Sequence, residues 1–504
     1  MAASTSLFAR LAARPGWALV ALAAMLVALA LIRSPDHDES QYVAAAALTA
    51  HGLIPYRDFA YLQSPLQPYA FAPLAWLFGT WTWPGLRVGN ALLGAAAVLG
   101  VYRAGRAAGA PASVALGSAM LFACCDALLF GVGTARNDAL PVALLALALA
   151  PAIRTALRAG MRSDALLVGL MLSAAAAAKI SYALPALGYG LWTLASPRVR
   201  RSGWVLAGAI PAALLIAGSW LAAPQGFVFG VFDFPLRAPA EFYADRPARL
   251  TVGAKLFDTL RFLALGPALL AVGIAAWQRQ RGPVAVLLGI LVAAGTVAAV
   301  LPTPIWRQYW LPALPPLFVL LATGWQQRPA GRTLRILAVA CAVAGLAPSV
   351  KALIGGDRFA TAFASADRVR APLAAAAAGP VVTLAPQYLP QLGRLPDPRF
   401  AAGPFYFRSR ALLNDRDERA LILVRQGAIP PLGGRPVLVG GEGGWGSGSA
   451  ELDDALAAAA RRQGYRGQRI AGTPFTLYLQ PGVAVRPAQT PRSGLHGGAA
   501  LGLR

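Results

Sequence analysis

Apolar residues fall into long runs along this chain, separated by short polar connections, and that rhythm sets the fold class. On a template of roughly twenty apolar residues per span, about eleven spanning helices are expected. Their cores lie near 17–33, 85–103, 112–131, 138–157, 164–179, 182–197, 203–223, 258–277, 283–301, 311–327 and 333–350. The stretch from Pro65 to Phe78 is apolar too, but it is short and broken by Pro68 and Pro73. It reads as a helix lying in the membrane interface rather than crossing. The first run follows Arg10 and Arg14 and has no small-residue cleavage site before Asp36, so it is read as an uncleaved first span.

After about residue 350 the rhythm stops. Ten of the 21 acids lie beyond that point, with many Pro and Gly. Val381–Ala385, Pro436–Gly440 and Phe475–Leu479 read as strands, and Asn414–Gln426 and Glu451–Gln463 as helices, with Asn414 an N-cap. The expected architecture is therefore a polytopic α-helical membrane protein with three regions. Residues 1–350 form the membrane domain, with a first outer loop at 34–80. Residues 351–482 form a small α/β extracytoplasmic domain, and 483–504 a disordered tail.

Composition sharpens this picture. Hydrophobic residues make up 57% of the 504 positions and charged residues only 13%, which excludes an ordinary soluble chain. The net charge of +24 would suit nucleic acid, but most of it sits in short clusters capping apolar runs, so no nucleic-acid partner is expected. Arg103/Arg106, Arg154/Arg158/Arg162, Arg198/Arg200/Arg201, Arg279/Arg281 and Arg328/Arg332/Arg335 mark alternate connections as cytoplasmic. The N-terminus is then expected to be cytoplasmic and the C-terminal domain to lie outside; the Ala/Arg-rich bias is that of a GC-rich bacterial genome, which would make this side the periplasm of an inner membrane. Cys124, Cys125 and Cys341 all sit inside apolar runs and suggest packing rather than disulfides.

Acids fall on the outer side: of the eleven before residue 350, only Asp164 lies in a cytoplasmic connection. Three of them, Asp36, Asp38 and Glu39, crowd into four positions just beyond the first span. Capping explains part of this, either through Asp38 with Gln41 or through Asp36 with Glu39 one register earlier. It does not need three acids, and it leaves Arg57-Asp58 and Gln63 unexplained. Arg136-Asn137-Asp138, Lys179 and Trp306-Arg307-Gln308-Tyr309 also fall at outer junctions. A structural Arg136–Asp138 pair, a snorkelling Lys179 and an aromatic belt are the bland readings. Together the topology places Asp38, Glu39, Asp138, Lys179, Arg307 and Tyr309 at one membrane surface, where ionisable groups mark function.

The motifs resemble those of the C-type (GT-C) glycosyltransferases of the protein mannosyltransferase and aminoarabinose transferase superfamily. Asp38-Glu39-x-x-Tyr42, Gly52-Leu53-Ile54-Pro55-Tyr56-Arg57-Asp58, Tyr61-Leu62-Gln63-Ser64-Pro65-Leu66, Arg136-Asn137-Asp138-Ala139-Leu140, Ala178-Lys179, Arg307-Gln308-Tyr309-Trp310-Leu311-Pro312 and Gly403-Pro404-Phe405 carry the likeness. Gln63-Ser64 departs from the acid-lysine pair of the aminoarabinose branch. The resemblance implies a transferase that moves a sugar from a polyprenyl-phosphate donor to an envelope glycan, lipid or protein acceptor at the outer membrane face. Asp38 would be the base of an inverting displacement, with Glu39 or Asp138 holding sugar hydroxyls or orienting the acceptor. Tyr42, Arg57, Asp58, Gln63, Arg136, Lys179, Arg307 and Tyr309 would bind substrate. No cofactor is expected, although Asp36, His37, Asp38 and Glu39 are conceivable ligands for a divalent cation. A transporter or flippase of a lipid-linked precursor is the competing reading.

Overall fold

A computed structural model describes residues 15–158, 160–354, 359–440 and 446–481. Among these, six helical runs are long and apolar enough to cross a membrane, or up to eight if each of two bent pairs is one span. Helix occupies every segment expected to span. Three of the helices, Arg162–Ala178, Ala183–Leu194 and Leu314–Gln327, are shorter than a full crossing requires on their own. The expected tail from 483 onward lies outside the described residues.

The expected spans 112–131 and 258–277 are not continuous. Ala112–Ala123 and Asp126–Val132 meet at 68°, and Val252–Ala264 and Ala268–Gln278 at 91°. Gly266 has a positive φ of 125° and precedes Pro267, which has no N–H to donate, so the helix stops there. The two breaks face each other. The Asp126 N–H donates to the Leu265 carbonyl at 3.1 Å, and a Cβ on Gly266 would lie 2.9 Å from the Cys125 Cα. Interrupted backbone at membrane depth is tolerated where protein supplies the missing partners. Here the junction also fixes Asp126 and Phe130, which matter below.

Leu66–Phe78 does not run straight on into Thr82–Ala107. Gly79 has a positive φ, and the Leu74 side chain lies against Gly89, so the two helices fold back upon one another. Elsewhere small residues let helices touch. A Cβ on Gly169 would stand 2.0 Å from the Val205 carbonyl oxygen, and one on Gly208 would stand 2.0 Å from that of Leu166. Such reciprocal contacts are how helices approach closely in lipid, where burial of apolar surface gives little drive. Gly169→Leu or Gly208→Leu should each cost at least about 1–3 kcal/mol. The check is thermal unfolding in detergent beside Gly218→Leu, whose Cβ would meet nothing within 4 Å.

The C-terminal part holds a three-stranded antiparallel sheet in the order β1-β3-β2, formed by β1 (Val437–Val439), β2 (Arg466–Arg469) and β3 (Thr476–Leu479). Two of these follow the sequence pattern. The third, Arg-Gly-Gln-Arg, is exposed throughout and carries no apolar signal. Val381–Ala385 makes only isolated bridges, to Pro396 and Val437. Asn414 caps the helix Asp415–Ala420 by accepting from the Arg416 and Asp417 amides. That helix is shorter than expected because Ile422 takes a positive φ.

The C-terminal part is packed onto the membrane part through a common core. Val43, Ala46, Phe71, Trp83 and Leu86 from the helices join Phe359, Tyr388 and Phe475 in one buried cluster. Gly403 lies against Ser40, and Gly448 against the His37 ring. The C-terminal part therefore roofs the acidic loop.

Candidate active site

The acidic loop is shaped by the helix it starts. Glu39–Ala50 ends in a left-handed Gly52 (φ 86°), with the Leu53 N–H reaching back to the Leu48 carbonyl at 3.1 Å. At its start the Asp36 carboxylate accepts from the Asp38 amide at 2.9 Å, and the Glu39 carboxylate accepts from the Asp36 amide at 2.9 Å. Asp36 and Glu39 therefore do the capping, in the earlier of the two registers. Asp38 makes no side-chain capping bond and is left for other work.

Glu39 is sealed in. It is fully buried against an equally buried Arg87, at 2.7 and 2.5 Å, and also accepts from Trp83 Nε1 at 3.0 Å and the Ala135 amide at 2.7 Å. Arg87 spends its other N–H groups on the carbonyls of Ala30, Arg33 and Ser34. Burial pushes the Glu39 carboxyl up, but Arg87 and these donors outweigh it and hold it below its usual value. With its oxygens committed, Glu39 anchors the loop; the expectation that it shares the chemistry with Asp38 finds no open lone pair here.

Asp38 faces the opposite way. Its carboxylate meets Arg136, which also reaches Asp36 at 3.4 Å and Asp138 at 3.4 Å. Asp138 in turn is bound by Lys179, whose ammonium stands 5.7 Å over the Tyr309 ring. Burial raises the Asp38 carboxyl, yet Arg136, followed by the His37 hydrogen bond at 3.1 Å, holds it well below the usual carboxylate range. Burial lowers His37, but the Asp38 hydrogen bond and the charges of Asp38 and Asp36 together outweigh it and raise the imidazole above its usual value. The loop carrying Arg136 is pinned from behind. Asn90 donates to the Thr134 and Arg136 carbonyls at 2.7 and 2.8 Å, Gln67 donates to Arg136 at 3.2 Å, and Asn137 donates to Gln63 at 3.0 Å.

A second cationic group adjoins the first. Arg307 grips the buried Asp126 at 2.9 and 3.2 Å, on the helix that begins at the bend. Arg307, Arg136 and Arg33 surround the Phe130 ring at 3.8, 5.1 and 5.2 Å from its centroid.

The structure thus brings together Asp38, Arg136, Asp138, Lys179 and Tyr309, with Gln63 behind Asn137 and Arg307 beside Phe130. Tyr42 is buried edge-on between Tyr61 and Phe405 at 6.5 and 6.4 Å, as part of the wall. Arg57 and Asp58 sit apart, paired to each other at 2.8 Å, with Asp58 also tying the Ile54 amide. Among the described residues one cluster offers metal-ligand geometry, Asp36-His37-Asp38, with ligand atoms within 4.8 Å of one another. A divalent ion there would compete with Arg136 for the same oxygens, and Glu39 is turned away from that set.

Arg33, Arg87, Asn90, Asp126, Phe130 and Arg408 belong to this region although the sequence reading passed over them. Arg33 and Arg87 had a signal: each is an arginine at the outer end of a span, against the charge rule that placed the rest. Asp126 had one as well, as an acid inside an apolar run.

No protein-family model matches the chain, and no curated protein matches it. Solved structures do. ArnT from Cupriavidus metallidurans bound to undecaprenyl phosphate aligns over 92% of this chain and 98% of that one, with a TM-score of 0.62 at 14% identity. Its apo form aligns over 93% and 98%, with a TM-score of 0.59 at 15% identity. The chain shares the GT-C fold of these membrane proteins.

Proposed function

We propose that this GT-C-fold protein is a membrane glycosyltransferase that takes a sugar from a polyprenyl-phosphate donor and transfers it to an acceptor hydroxyl in one inverting displacement. The observation that carries the reading is the state of Asp38. Its carboxyl group is released from capping duty and paired with Arg136, set where the first outer loop, Arg136-Asp138, Lys179 and the roof converge. Asp38 takes the acceptor proton as the oxygen bonds to the anomeric carbon. The bond from that carbon to the phosphate oxygen breaks, and its electron pair leaves with polyprenyl phosphate. Arg136 orients Asp38, and Asp138 with Lys179 holds the sugar side. Arg307 and Arg33, beside Phe130, offer the positive field that a departing phosphate needs. The undecaprenyl phosphate in the neighbour's structure supports the donor class. The orientation that follows puts the site and roof on the periplasmic face of a bacterial inner membrane.

The test is transfer by the purified protein in lipid nanodiscs, with radiolabelled undecaprenyl-phosphate sugars and an envelope extract as acceptor source. Label appearing in a new glycosidic product supports the reading. Movement of labelled lipid across vesicles without a new bond would replace it with a transporter.

A further inference from the structure

The roof contributes a cation to the site. Arg408 follows the Gly403-Pro404-Phe405 segment, which lies directly on the start of the acidic helix. A Cβ on Gly403 would stand 2.4 Å from the Ser40 oxygen, and the Phe405 ring meets Tyr42 at 6.4 Å. The Arg408 guanidinium stands 4.5 Å from the Phe242 ring centroid and 5.2 Å from that of Phe405, so two aromatic faces hold it in place. Asp38, Tyr243, Tyr309 and Arg136 lie within electrostatic range of it, and its charge is felt at both Asp38 and His37.

Its pairing sets it apart. Arg136, Lys179, Arg307 and Arg87 are each matched by a carboxylate, and Arg33, which has none, donates to the Leu129 carbonyl at 3.2 Å. Among the described residues Arg408 has no ion-pair partner and its side chain donates no hydrogen bond. The residue is half-buried and none of its nitrogens is sealed from solvent without a partner, so its N–H groups are open to an incoming ligand. Its fixed fork matches the oxygens of a phosphate group.

We infer that Arg408 is a substrate-binding residue supplied by the C-terminal part, gripping a phosphate-type oxyanion brought in by the substrate over Asp38. This rests on the transferase reading for the identity of the substrate, but not for the anion chemistry. The oxyanion comes either from the donor phosphodiester or from an acidic acceptor, and the two are separable.

The experiment uses the full-length protein in nanodiscs, as wild type, Arg408→Gln and Arg408→Lys, with melting temperatures recorded alongside. One arm measures binding of undecaprenyl phosphate. The other measures binding of inorganic phosphate, with and without saturating undecaprenyl phosphate. If Arg408 holds the donor, Arg408→Gln weakens undecaprenyl phosphate about 10- to 100-fold, and Arg408→Lys recovers part of the loss. If it holds an acceptor group, undecaprenyl phosphate is unaffected while inorganic phosphate loses affinity by a similar factor. Unchanged binding in both arms overturns the proposal, and so does equal weakening by both variants in step with a fallen melting temperature, which would make Arg408 a packing residue. Wild type that binds inorganic phosphate through Arg408 but not undecaprenyl phosphate would instead sink the donor assignment alone.

Discussion

Asp38→Asn is expected to cut sugar transfer by about 10²–10⁴-fold, the loss typical of removing a positioned base, while leaving the protein folded. The second half follows from the division of labour in the loop. Asp36 and Glu39 cap the helix, and Arg136 keeps Asp36 and Asp138 when Asp38 loses its charge. A pH profile makes the test sharper. Burial raises the Asp38 carboxyl, but Arg136 and His37 together, with Arg408, outweigh that and hold it well below its usual range. Its pairing therefore stabilises the protein above the usual carboxylate pKa and is lost only as pH falls through the depressed folded value. The wild-type rate should show no acid limb from Asp38 between pH 5 and 8. Arg136→Gln removes the largest lowering influence and leaves burial opposed by His37 and weaker neighbours. The carboxyl then rises, and an acid limb moves toward neutral pH on a diminished rate. An Asp38→Asn protein transferring at the wild-type rate would remove Asp38 from the chemistry. An Arg136→Gln profile that kept the wild-type shape would show that Arg136 does not set its ionisation.

The residues legible in the sequence were those whose local context was anomalous. Asp38, Arg136, Asp138, Lys179 and Arg307 are charges at junctions that the hydrophobic rhythm placed on one face, so periodicity and sidedness sufficed to gather them. Pairing was not legible, because it depends on which helix faces which. Glu39 and Asp38 are neighbours in sequence, yet a single residue's step at the helix start buries the first with Arg87 and points the second toward Arg136. Arg57-Asp58 had the same polar signature as the site and proved to be a turn closing on itself. The bends at Cys124-Cys125 and Gly266-Pro267 were hidden for a different reason. Unbroken hydropathy outweighed a Gly-Pro pair that on its own announces a break. Arg408 was out of reach because nothing local tells that a guanidinium stacked on Phe242 and Phe405 comes within electrostatic range of Asp38, far earlier in the chain.

Arg87→Met should be the most damaging single substitution in the protein for stability, at about 3–5 kcal/mol, the cost of leaving a buried charge without its partner. Five donor contacts reach Glu39 or the first span's carboxyl-terminal carbonyls from this one guanidinium, and both side chains are fully buried. Without it Glu39 keeps only Trp83, Ala135 and Asp36 as neutral donors, and the carbonyls of Ala30, Arg33 and Ser34 lose the group that ties the first span to the acidic loop. Glu39→Gln is expected to be nearly as costly, since its amide N–H would point at an N–H of Arg87 or Asp36. The double variant Arg87→Met/Glu39→Leu removes both charges together, so it should cost less than the two single losses combined; a double-mutant cycle by thermal unfolding in detergent reads that coupling. The same cycle decides between anchoring and catalysis for Glu39. An anchor loses melting temperature and activity together and is coupled to Arg87. A Glu39→Gln protein that melts like wild type but transfers no sugar would return Glu39 to the reacting groups, and with it the sharing of chemistry between two adjacent carboxylates.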